Sequence, residues 1–160
     1  MATAIKQLNG GLGTEIDKVD AGIIRALEEN ARLSLRKVAK KTGVSVATVM
    51  HRLKILERER IIRKYSAILD YDKLGYSLQA IIDVIVSKGM LFEVERKIAS
   101  HPNVAAVYDI TGHFDVMVIA YFKSRRGLDE FIKKIQTYDF VEKTETRIIL
   151  NTIKDERVKV

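Results

Sequence analysis

Ala39, Gly43 and Val49 stand four and six positions apart, between two short segments that each begin with a capping serine, Ser34 and Ser45. A small residue lets two helices approach closely, and glycine takes the positive φ of a tight turn at little cost. The apolar residue then packs the second helix back onto the first. This spacing is a fairly specific signal for a helix-turn-helix over residues 35–54. The segment before it supplies the third helix that closes such a core. Asp17 is placed to cap it, Asp20 faces its dipole, Val19, Ile23, Ile24 and Leu27 recur at helical spacing, and Asn30 ends the run. Inward positions of the next two helices are Leu35, Val38 and Ala39, then Val49, Leu53 and Leu56, with Val46 at the edge.

The 160 residues are 47% hydrophobic and 31% charged, too apolar for a disordered chain and enough to bury a core. The net charge of +7 has a location. From Asp17 to Tyr65 thirteen cations face six acids, whereas residues 66–160 hold fourteen of each sign. That asymmetry points to a polyanion partner for the first part and a different task for the second, the alternative being a solvated helical surface. The chain has no cysteine, which removes disulfides, thiolate metal sites and cysteine nucleophiles. His51, His101 and His113 are dispersed and suggest no metal site. His101, before Pro102, is expected to end a helix and favour its dipole. No P-loop or nucleophile elbow is visible, and no cofactor is expected. No apolar run approaches a membrane span, since even residues 81–86 contain Asp83, and no signal peptide is visible, so a cytoplasmic protein is expected. Few Asn and Gln lean toward a heat-adapted source.

After Glu59 the period shifts from helical to alternating. Residues 65–71 and 77–87 read as strands, 90–100 as a helix, 104–110 and 114–122 as a hairpin turning at Gly112, 128–138 as a helix and 141–153 as a last strand. The order β-α-β-β-α-β gives a four-stranded antiparallel sheet with two helices on one face. Ile81, Val107 and Val118 are expected to make the other face apolar, so burial against a second chain, at least a homodimer, is expected. The fold class is therefore α+β: an N-terminal three-helix helix-turn-helix domain (16–64), a linker strand (65–75) and a C-terminal ferredoxin-like βαββαβ sandwich domain (76–154). Residues 1–15 and 155–160 read as tails.

Winding the third helix from Val49 turns Ala47, His51, Lys54 and Arg58 outward, with Thr48 and Arg52 flanking. Its first part, Ser45, Val46, Ala47 and Thr48, is small enough to enter a major groove. His51 and Arg52 can reach base edges and Thr48 a base or a thymine methyl. Arg36, Lys37 and Lys54 suit phosphates of double-stranded DNA. Two alternatives stay open: Arg52 can pair with a first-helix acid such as Glu28, and His51 can be a solvated helix residue.

The stretch IDKVDAGIIRALEENARLSLRKVAKKTGVSVATVMHRLKILERERIIRKYSAILD resembles the DNA-binding half of the Lrp/AsnC (feast/famine) transcription regulators, archaeal-like in character. VAAVYDITGHFDVMVIAYF and VEKTETRIIL are similar to that family's effector and assembly domain. The resemblance implies a regulator that binds DNA, commonly at its own promoter, pairs through its sheets and often builds octamers from dimers. It also implies an effector, an amino acid in many members, bound between dimers by the loop Gly112, His113, Phe114 and Asp115 and the strand residues Thr144 and Thr146. Amides beside Gly112 could take an α-carboxylate and Asp115 an α-ammonium. Equally, Gly112 can simply make a turn, Asp115 cap it, and the threonines be ordinary strand residues.

The family usually has glycine where Arg60 precedes Ile61 and Ile62, which suggests a different turn or a continued helix here. Two other readings compete: an architectural protein that wraps DNA without an effector, and a sirohaem decarboxylase that binds a tetrapyrrole. Relatives of the latter kind carry a Tyr-Asn and Trp pattern after the hairpin, where this chain has Phe114, Asp115, Val116 and Met117 and no tryptophan anywhere.

Overall fold

Caps and buried stripes define the first helices as the spacing requires. The computed structural model describes residues 15–87, 89–156 and 158, in two compact units that divide between Ala67 and Ile68. Of the tails, residues 1–14, Arg157, Lys159 and Val160 lie outside the described residues. The first unit holds α1 (Lys18–Glu29), α2 (Leu35–Thr42) and α3 (Val46–Arg58). Asp17 and Asp20 form a reciprocal capping box on α1: Asp17 Oδ1 accepts from the amides of Val19 and Asp20, each at 2.8 Å, and the Asp17 amide donates to Asp20 Oδ2 at 3.3 Å. Ser34 and Ser45 cap α2 and α3, and Gly43 ends α2 with φ 71°. Ile23, Ala26, Val38, Ala39, Val49, Leu53 and Leu56 form the core. Crowding is greatest at Gly22, where an added Cβ would lie 3.3 Å from Thr42 Cγ2.

Arg60 does not prolong α3. The helix stops at Arg58, and Arg60 itself takes the left-handed conformation, φ 56°, that glycine favours. Its amide donates to the Glu57 carbonyl and that of Ile62 to the Leu56 carbonyl, each at 3.0 Å, which folds Ile62 back against the core. Residues 65–71, expected as a strand, are not one: the backbone there forms no ladder, and 71–75 is a turn. A β-rich composition makes a strand only when a neighbour supplies the ladder, and this single chain supplies none. Ile68 is accordingly 99% exposed.

The second unit runs β1 (Leu78–Val86), α4 (Leu91–Ala99), β2 (Val104–Asp109), β3 (Val116–Phe122), α5 (Arg125–Gln136) and β4 (Val141–Ile149). The antiparallel sheet has the order β2-β3-β1-β4, the ferredoxin-like arrangement. One face packs Ala80, Ile82, Val84, Val116, Val118, Ala120 and Phe122 against Val94 and Ile98 of α4 and Leu128, Phe131 and Ile135 of α5.

Register corrects the reading of the opposite face. Val107 lies opposite Val118, which is wholly buried under the helices, so both belong to the covered face. The shift in register between Val104 and Ala106 moves β2's alternation by one residue, which no period in the sequence announces. The open face instead carries Ile81, Ile119, Met117, Tyr121, Ala106 and Tyr108. It also carries Asp83, 1% exposed and ion-paired with Arg147 of β4.

Candidate nucleic-acid interface and effector site

The charge and the shape of the first unit meet on α3. Ser45, Val46, Ala47, Met50, His51 and Lys54 are exposed along it, as are Arg36 and Lys37 at the start of α2. The Thr48 amide donates to Ser45 Oγ at 3.0 Å, and the two hydroxyls lie 2.9 Å apart, so both side chains are already engaged in the cap. Met50, 47% exposed, was missed by the sequence reading: one residue round from the inward Val49, it looks like the edge of the core, yet it stands on the open surface beside His51 and Lys54.

Arg52 is turned away from this face. Its Nη2 lies 2.9 Å from Asp17 Oδ2 and its Nη1 3.3 Å from Asp20 Oδ2. The partners are first-helix acids, as the ion-pair alternative required, but they are Asp17 and Asp20 rather than Glu28. The cap amide of Asp20, with the Arg52 guanidinium assisting, holds the Asp17 carboxyl below the usual carboxylate range. At the far end of α3, Tyr65 Oη donates to Glu57 Oε1 at 2.9 Å, and partial burial beside that carboxylate pushes the phenol up to about 12.

In the second unit the Gly112 loop is drawn tight. The Ile110 amide donates to the Asp115 carbonyl at 2.9 Å, and the Asp115 amide donates to the Val84 carbonyl at 3.0 Å. Gly112 has φ 126° with open space where a Cβ would lie, so its backbone conformation and not crowding calls for glycine. Asp115 does not cap the hairpin. One carboxylate oxygen, Oδ2, accepts from the Val86 amide of β1 at 2.9 Å, beside the irregularity at Ile85 and Val86.

Thr144 lies opposite Val84, itself opposite Val116, and Thr146 lies opposite Ile82, so both threonines sit at the edge of the helix-covered face. Thr144 Oγ1 accepts from Gln136 Nε2 of α5 at 2.9 Å. The loop and β4 do meet: Lys143 Nζ lies 5.9 Å from the Phe114 ring, which is itself 4.9 Å from His113. Lys143 was also missed, because the alternation of β4 alone does not say which strand end the hairpin loop overhangs.

His101 departs from its expected role. Its Nδ1 accepts from the Asn103 amide at 3.3 Å, and burial together with nearby Lys134 holds its pKa below the ordinary value. The ring packs edge-on against Phe131 and accepts at Nδ1. Among the described residues no group of three or more His, Asp or Glu could hold a metal ion, and no helix is long and apolar enough to cross a membrane.

Comparison with known proteins matches each unit to a described domain. Residues 16–63 match a winged helix-turn-helix DNA-binding profile, and residues 79–159 match the Lrp/AsnC ligand binding domain. The chain belongs to the Lrp/AsnC family. Among its relatives, an HTH-type transcriptional regulator of Pyrococcus furiosus is 42% identical over 142 residues, covering 89% of this chain and 96% of the relative. The HTH-type transcriptional regulator FL11 of Pyrococcus horikoshii is 35% identical, over 88% of this chain and 93% of its own length. The structure of AsnC from Escherichia coli superposes with a TM-score of 0.85 at 31% identity, over 91% of this chain and 99% of that one. A transcriptional regulator of Neisseria meningitidis, solved as a complex with L-Met, superposes with a TM-score of 0.82 at 27% identity, over 88% and 94%. Like these Lrp/AsnC proteins, the chain is a DNA-binding transcriptional regulator with a ligand-binding domain. The relatives are named as regulators, not as enzymes.

Proposed function

We propose that this Lrp/AsnC chain is a cytoplasmic, sequence-reading regulator that acts at its own promoter as a homodimer, built up toward an octamer, and answers to an amino acid. What carries the reading is that the +7 excess is confined to residues 17–65, the unit that exposes Arg36, Lys37 and Lys54 beside the small N-terminal half of α3. On this reading Ala47, Met50 and His51 meet base edges in the major groove, and Val46 and the Thr48 methyl lie against bases. Arg36, Lys37, Ser45 and Lys54 fix the register on phosphates. The dimer closes over the open sheet face around Ile81 and Ile119, an apolar surface that a monomer would leave in water. The effector's carboxylate is received at the amides around Gly112, flanked by His113 and Phe114, and its ammonium by Asp115 Oδ1, with Thr144 and Thr146 contributed from β4. The Met ligand of the Neisseria protein supports an amino acid as the class.

One observation favours the architectural alternative: half of the Asp115 carboxylate is already engaged by Val86. Fluorescence anisotropy on DNA from the gene's own upstream region, with and without the twenty amino acids, separates the two. A shift in affinity with one of them supports the regulator that answers to an effector. Specific binding with no shift supports architecture.

A further inference from the structure

We propose that Arg52 is a positioning residue, which fixes the seating of α3 on α1 by closing one guanidinium on both members of the α1 capping box, and that it reads no base. The inference rests on the DNA-reading function above and deepens it. Arg52 is gripped from two sides. Asp17 uses Oδ1 for the amides of Val19 and Asp20 and Oδ2 for Arg52, while Asp20 Oδ2 serves both the Asp17 amide and Arg52. Asp20 is 4% exposed. To reach the N7 and O6 of a guanine, the guanidinium would have to let go of both acids and leave a buried carboxylate without its cation, a large penalty. His51, Met50 and Lys54 meet no such opposition.

The clamp also sits where packing is weakest. The α1–α3 pairing is the slightest of the three helix pairs in this unit. The other two are fixed by Val38, Ala39 and Val49 in the core and by the close approach of Gly22 to Thr42. A forked, charge-assisted bridge from α1 to the flank of α3 adds a directional restraint to the apolar contact of Ile23 and Ala26 with the core. A helix that must lay several side chains into a groove at once loses all of them together when its angle drifts.

The test uses the full chain and a duplex selected by the wild-type protein from a random-sequence pool, set against a scrambled duplex at one salt concentration. Arg52→Lys keeps the charge and can still bond to guanine, but gives up the planar fork whose two nitrogens each take one carboxylate. Asp20→Asn keeps the cap acceptor and has no reason to touch DNA. Each is expected to weaken binding to the selected duplex about tenfold while changing scrambled binding less than about twofold, with the loss spread evenly over single-base substitutions of the site. The double variant is expected to be no worse than either single one, as for two residues that act as a unit. His51→Ala is the contrast, its loss confined to the base pairs it meets. A loss confined to one or two base pairs in Arg52→Lys, with Asp20→Asn at wild-type discrimination, overturns the proposal. Equal losses on both duplexes do so too, since they mark a phosphate contact. If Asp20→Asn does not fold by circular dichroism, Asp17→Asn, which removes the more exposed partner, takes its place with the same expectations. A wild-type protein that selects no sequence overturns the DNA-reading function itself, an outcome visible before any variant is made.

Discussion

Asp115 Oδ2 accepts a hydrogen bond from the Val86 amide at 2.9 Å, so the residue whose backbone carbonyl closes the Gly112 loop also holds the end of β1 through its carboxylate. Asp115 therefore has a structural duty beside its proposed effector contact, and the two separate by mutation. Asp115→Ala removes a charge-assisted acceptor and is expected to cost about 2 kcal/mol. Asp115→Asn keeps an acceptor for the Val86 amide and is expected to recover most of that stability while losing the amino-acid-induced rise in melting temperature. A rise that persists in Asp115→Asn places the effector's ammonium elsewhere.

Arg60 holds a φ of 56° that costs a side-chain-bearing residue about 1 kcal/mol. Arg60→Gly relieves that strain, and part of the gain is offset because glycine gives the unfolded chain more freedom. The expected outcome is a stabilisation of about 0.5 kcal/mol in urea unfolding followed by helical circular dichroism. Destabilisation would show that the arginine side chain contributes more than its backbone costs.

How far the sequence was legible depends on how local each signal was. The caps at Asp17, Ser34 and Ser45 and the stripe Val49, Leu53 and Leu56 act within one or two turns, and they form as the spacing indicates. Long-range register is different. Nothing around Val107 reveals that a shift in β2 turns it under the helices, and residues 65–71 have strand composition without a partner to pair with. Arg52 illustrates the same limit in the candidate site: helical winding places it beside the reading face, but only the fold brings the α1 cap within 2.9 Å of its guanidinium. The placement of β1 between β3 and β4 is implied by the βαββαβ pattern, whereas the contact of Lys143 with Phe114 is not.

His101 gives the stability a pH dependence of definite sign. Its folded pKa is held below the ordinary 6.5 by burial and by Lys134, so as pH falls below about 6.5 the unfolded chain takes up a proton that the folded chain resists. The stability that His101 contributes at neutral pH is lost as pH drops toward the lowered folded value. Urea midpoints of wild type and His101→Gln should therefore diverge between about pH 7 and pH 5, with wild type falling faster. A constant difference would mean that the ring is not held neutral.

Ile119 lies opposite both Ile81 and Ala106 on the open sheet face. A lysine there points at solvent in a monomer but would be buried in the proposed dimer, where an unpaired charge is costly. Ile119→Lys should sediment as a monomer that keeps its far-ultraviolet circular dichroism. A dimer that survives the substitution assigns the interface to another surface.

The central claim, that α3 of a dimer reads the major groove, is tested most directly by dimethyl sulfate protection of guanine N7 on the selected duplex. That atom is reached only from the major groove. The account predicts two protected patches centred about one helical turn or a multiple of it apart, one for each α3. Binding with no N7 protected, or with protection along the whole duplex, would show that the +7 surface holds DNA by its backbone alone and would contradict the account.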